Sequence, residues 1–182
     1  MEISSKQIMK VLLVLSWIIF IGVCLDAGGF ICNTIFMLTQ NPFGGTYFWN
    51  GANLTSLYDF DEGYFMVIAS LMIIVAVMKS LMFYWIVKIL HEQKLNMEQP
   101  FNKDVGDFIF KLSFAALAIG LFSSWTANYS IWLVEKGVTM PTLEQMNVGG
   151  ADVWFFMTVI LFVIGHIFKR GIEIQSENEL TV

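Results

Sequence analysis

The sequence predicts an all-α integral membrane protein, an antiparallel four-helix transmembrane bundle. Three observations carry that expectation. Hydrophobic residues make up 57% of the 182-residue chain and charged residues 14%, against about 45–50% and about 25% in an ordinary soluble domain. Four stretches are apolar for long enough to approach or exceed the roughly 20 helical residues that a 30 Å hydrocarbon core takes. Lysine and arginine gather almost wholly on one side of those stretches. The mean hydropathy of +0.67 excludes a disordered chain, which needs low hydrophobicity and high charge. A net charge of −5 gives no basic footprint for nucleic acid. Cys24 and Cys32 both lie within an apolar run and indicate neither a disulfide framework nor a zinc site.

The chain reads as one membrane domain, 1–182. The first span covers 11–38, with Asp26 as its one charge. Lys6 and Lys10 precede it as they would in a signal peptide, but a signal core is about 7–15 residues and this run has 28, so an uncleaved helix is expected. The second span covers 64–90, with Lys79 near its middle, and the third 108–134, with Lys111 near its start. The fourth, 153–168, has 16 residues and needs its neighbours to complete it. Barrel strands would alternate apolar and polar residues, and runs such as Val11–Leu15 and Met66–Val77 do not.

Lys6, Lys10, Lys88, Lys94, Lys103, Lys111, Lys169 and Arg170 lie on one side, and Lys136 alone on the other. Basic loops stay inside, so both termini are expected in the cytoplasm. The external loops are then about 39–63 and 135–152, with a cytoplasmic link at 91–107 and a tail at 169–182. Asn41-Pro42 and Gly44-Gly45 mark the turn out of the first span. Leu54–Phe60 reads as a short interfacial helix, and the segment 39–63 is expected to lie against the membrane surface or to cover the outer mouth of the bundle. The aromatic residues Phe43, Tyr47, Phe48, Trp49, Tyr58, Phe60 and Tyr64 suit the membrane surface. In the link, Pro100 breaks the helix and Asn102 or Asp104 caps the next one.

Two segments carry a family resemblance. Leu95-Asn96-Met97-Glu98-Gln99-Pro100-Phe101-Asn102 is a Pro-Phe link between the second and third spans, and Phe168-Lys169-Arg170-Gly171 runs on to Glu177-Asn178-Glu179-Leu180-Thr181-Val182. This ending, with the chain length and four-span layout, resembles bacterial membrane proteins of the domain of unknown function 2975 family. The resemblance implies an inner-membrane protein without an assigned activity. It also implies a cytoplasmic partner, a small helix-turn-helix regulator often encoded nearby, and it transfers no catalytic residues.

Asp26 and Lys79 are the deepest charges. Each costs roughly 2.5–3.5 kcal/mol to insert, so such residues face the interior and take partners. Gly22, Asp26, Gly29 and Asn33 share one helical face, as do Ala69, Met72, Ala76 and Lys79. Counted from the span centres, the two charged residues differ in depth by roughly 5 Å, within reach of a lysine side chain. A direct Asp26–Lys79 pair is therefore expected. It reads either as a proton- or ligand-responsive site or as a buried pair that fixes helix register. On the third span Ser113, Ala116, Gly120, Ser123 and Ala127 share a face, with Ser124 and Asn128 beside it; this reads as close helix packing or a polar lining. His91 and His166 lie near the same ends of their spans, where facing rings could ligate haem and interfacial water would equally solvate them.

No nucleophile–base spacing and no metal or phosphate motif is present, so no enzyme, cofactor or metal is expected. The role expected is a sensing, tethering or regulatory membrane component. The alternative is a subunit of a small transporter or channel, which would need further copies of the chain. The expected partners are the lipid bilayer and a cytoplasmic protein, with no direct nucleic-acid contact.

Overall fold

The computed structural model describes residues 5–39, 48, 51–92 and 101–179, with the side chains at 5, 6, 178 and 179 left aside. Of these residues 84% are helical and none is in a strand. The helices are α1 (Ser5–Leu38), α2 (Thr55–Phe60), α3 (Glu62–His91), α4 (Lys103–Glu135) and α5 (Ala151–Glu179). Four of them, α1, α3, α4 and α5, are long and apolar enough to cross a membrane. The turn at Asn41–Gly45, the rings of Phe43, Tyr47 and Trp49, Pro100 and the last three residues of the C-terminal motif lie outside the described residues.

Local chemistry sets the helix ends. Asp61 accepts from the Tyr64 amide at 2.9 Å and starts α3; Asn102 accepts from the Val105 amide at 2.9 Å and starts α4. The Asn53 carboxamide oxygen accepts from the Thr55 amide and hydroxyl just ahead of α2. At the far end of α4, Gly137 takes φ +88°, which glycine adopts without strain. The Val138 amide bonds back to the Leu133 carbonyl and the Gly137 amide to that of Val134. Leu133 and Val138 are both buried, the apolar contact that accompanies this helix ending.

The long helices pack in chain order, α1 on α3, α3 on α4 and α4 on α5, while α1 and α5 do not pack on each other. Contacts between neighbours run in opposite chain directions. Along α1 and α3, Phe20 faces Tyr84, the Ser80 hydroxyl donates to the Val23 carbonyl at 3.0 Å, and Phe30 reaches Phe65 through Phe48. Between α4 and α5, Ser113 donates to the Thr158 carbonyl, and Phe110 lies against Gly165. Small residues permit this approach: a Cβ on Gly120 would stand 3.0 Å from the Phe155 ring.

Both inter-helix segments at the end holding α2 pack into the bundle, so of the two placements expected for 39–63 the structure shows a cover over the bundle's end. Phe48, Ala52, Leu54 and Leu57 are buried against Phe30, Phe65 and Ile68. Phe48 and Leu57 thus belong to the core rather than to a membrane-surface layer, because α1 and α3 leave an apolar recess there. Phe60 remains exposed. Residues 136–150 likewise send Val138, Met146 and Val148 into the same core.

Candidate functional site

The segment 136–150 turns back along the bundle and carries a polar residue deep into it. Thr142 and Gln145 cap each other, the Thr142 amide donating to Gln145 Oε1 and the Gln145 amide to Thr142 Oγ1. One helical turn follows, closed by Val148 amide to Leu143 carbonyl and Asn147 amide to Glu144 carbonyl bonds. Asn147 ends the turn at φ +57°, a left-handed position that asparagine tolerates better than most side chains.

Two independent rulers give the depth of this return. Tyr64 meets Trp132 close to the end of α4, and Lys79 meets Asn147. The fifteen residues between Tyr64 and Lys79 are about 22 Å of helix. Gly120, fifteen residues before the end of α4, lies against Trp154 near the start of α5, which repeats the figure. The first residues of α5 are therefore recessed about 22 Å below the tip of α4, and the returning segment fills the difference. Irregular backbone at such depth is tolerated only where protein satisfies it. Here the turn bonds internally, and the Asn147 carbonyl accepts from Lys79.

Around Asn147 the polar groups converge. The Lys79 Nζ donates to the Asn147 carbonyl at 2.7 Å and to its Oδ1 at 3.0 Å. The Asn147 Nδ2 donates to Asp26 Oδ2 at 3.4 Å. Lys79 Nζ also lies 5.9 Å from the centre of the Trp154 ring, within cation–π range. No ion pair joins Asp26 and Lys79 among the described residues, so the pair expected from sequence is bridged rather than direct. One side chain of the returning segment thus touches α1 and α3 and stands beside α5.

The supporting residues distribute unevenly. Asn33 is half-buried, two turns along α1 from Asp26, and has an interaction of its own. Ser123 is buried one turn from Gly120, and its hydroxyl makes no hydrogen bond. Ser124 is half-buried and Asn128 exposed. No hydrogen bond links Ser123, Ser124 or Asn128 to the Asp26–Asn147–Lys79 group. His166 packs its ring on Phe110 and Phe162, and His91 is exposed at the end of α3. Sequence reasoning missed Asn147 and Trp154. The signal was present in Met146-Asn147-Val148, an apolar bracket around a polar residue, and in the shortness of the fourth apolar run.

The two motif segments meet at the other end of the bundle. A Cβ on Gly171 would stand 2.5 Å from the Phe101 ring, whose centre is 5.3 Å from that of Phe168. Ile172 reaches Gly106 at the start of α4. The end of α5 is thereby keyed to the link that precedes α4.

The sequence matches, over residues 49–182, the family described as "Protein of unknown function (DUF2975)". No curated protein and no solved structure matches the chain.

Proposed function

Starting from the fact that the chain belongs to the DUF2975 family, we propose that it is a non-enzymatic sensing or regulatory component of a bacterial inner membrane. In this reading both termini are cytoplasmic and the segment 136–150 enters from outside. The observation that carries the proposal is the position of Asn147. A residue of the external segment holds Asp26 of α1 and Lys79 of α3 at once, beside Trp154 of α5. Whatever shifts that segment alters the seating of three spans. One of them, α5, continues into the tail keyed to Phe101. A signal met outside is thereby passed to a protein partner inside.

The test is a distance. Spin labels at Glu92 and Gln175, in a chain lacking Cys24 and Cys32 and held in lipid nanodiscs, report the tail against the end of α3. Asn147→Ala should shift or broaden the distance distribution, and Asn128→Ala should not. An unchanged distribution in Asn147→Ala would sink the relay.

A second reading, a subunit of an oligomeric transporter or channel, draws on the lack of packing between α1 and α5. Absence of flux for a panel of ions and solutes in proteoliposomes would count against it.

A further inference from the structure

The same returning segment forms one wall of a cavity of about 300 Å³, the lower end of the range for small-molecule sites. The other wall is the last third of α4, from Ala127 to Glu135; residues 140–143 face it, and the cavity is open on its outer side. We infer that this cavity binds a single-chain amphiphile with a cationic head group, drawn from the surrounding lipid, and that this ligand is a signal for the relay; the inference rests on that reading.

The walls choose the tail. Ala127, Ile131 and Val134 supply carbon surface. Ile131 and Val134 are also more than half exposed and continue the outward apolar surface of α4 through Trp125 and Leu121. An alkyl chain can therefore pass from lipid to cavity without crossing a polar rim.

The charges choose the head. Glu135 is the one ionisable residue of the lining and forms no ion pair among the described residues. The adjacent Lys136 does not neutralise it: its Nζ lies 5.5 Å from the Trp132 ring, and Trp132 stacks with Tyr129 towards Tyr64 on a different side of α4. Glu135 is the last residue of α4, where the helix carbonyls add negative potential. A cation is favoured there and an anion repelled. Ser130, in the same wall, is buried, and its hydroxyl makes no hydrogen bond.

The wall is coupled to the latch. Leu143 lies four residues before Asn147, and the Thr142–Gln145 caps and the Val148-to-Leu143 bond hold both in one turn. A tail pressed between α4 and residues 140–143 moves the turn that carries Asn147.

Native mass spectrometry of the full chain released from nanodiscs tests this with three probes that share a dodecyl tail: dodecyltrimethylammonium, dodecyl sulfate and dodecyl maltoside, each below its micelle concentration. A saturable one-to-one adduct is expected with the ammonium probe, about tenfold tighter than with the other two, the ratio that about 1.4 kcal/mol of charge interaction gives. Glu135→Gln, at an exposed position, should abolish the preference and keep the wild-type melting temperature. Ala127→Leu, which fills the cavity, should abolish the adduct. Equal affinity for the three heads, or a cation preference that survives Glu135→Gln, would overturn the cavity assignment. If Asn147→Ala moves the tail label while no adduct forms, the cavity fails alone; if the adduct forms and Asn147→Ala leaves the label unmoved, the relay fails alone.

Discussion

The Phe101 ring occupies the space in which a side chain on residue 171 would stand, 2.5 Å from a Cβ placed on Gly171. Phe101 belongs to the link between α3 and α4, and Gly171 to the part of α5 beyond its apolar run. Two segments seventy residues apart are thus one contact.

Gly171→Ala should displace the Phe101 ring. On an exposed helix the change would stabilise by about 1 kcal/mol through propensity; against this ring it should instead destabilise by roughly 1–3 kcal/mol, the usual cost of overpacking. Phe101→Ala should relieve the clash, so the double variant should be no worse than Phe101→Ala alone. Thermal denaturation in detergent checks both. Strictly additive losses would mean the ring and the glycine are not in contact.

Asn147 separates into backbone and side-chain roles. Asn147→Gly keeps the carbonyl that Lys79 uses and relaxes the left-handed φ; Asn147→Ala loses the carboxamide and strains the backbone by about 1 kcal/mol more. Stability should therefore fall in the order wild type, Gly, Ala. Asp26→Asn should cost stability in the wild-type background and close to nothing in Asn147→Gly, because the carboxamide is its hydrogen-bond donor. An equal Asp26→Asn cost in both backgrounds would break the bridge assignment.

Ser123 makes a simpler case. Its hydroxyl is buried without a hydrogen bond, so Ser123→Ala should be neutral or stabilising by up to about 1 kcal/mol. A loss above about 1 kcal/mol in chemical denaturation would show a partner for that oxygen.

Partial burial pushes the Tyr58 phenol above its usual 10.0, and Glu62, by charge and hydrogen bond, and Asp59, by charge, push it the same way. The folded form therefore holds this proton more tightly than the unfolded one. The contribution is complete below about pH 10 and is lost as pH rises through the higher folded value. The difference in tyrosinate absorbance between wild type and Tyr58→Phe should titrate above pH 10; a midpoint at or below 10 would contradict the burial.

Topology reporters supply the orientation. Fusions at Thr55, Gln99 and the C-terminus should read outside, inside and inside, and one after Gly137, ahead of the returning turn, should read outside. An outside C-terminus would overturn the placement of the basic residues.

How far the sequence reached is instructive. The presence and order of α1, α3 and α4 follow from long apolar runs, whose signal is local, and the Asn102 cap and the short helix ending at Phe60 follow from chemistry within a few residues. Asp26 and Lys79 stood out because charge inside an apolar run is expensive wherever it occurs. Their bridge did not, because Asn147 lies 121 residues from Asp26 and 68 from Lys79, and Thr139-Met140-Pro141-Thr142 ahead of it reads as ordinary surface turn. Burial of Phe48 was hidden for a different reason: interfacial and core aromatic residues have the same composition, and only its place between Phe30 and Phe65 distinguishes it.

The recessed start of α5 also orders the protein's birth. Translation delivers Asp26 first, then Lys79, and the residue that satisfies both only 68 positions later. α3 is therefore complete before either of the oxygens that its ammonium uses in the folded chain has been made. A chain stopped before Asn147 lacks the residue that bridges Asp26 and Lys79. The last third of the polypeptide thus supplies the partner of two charged residues laid down in the first half.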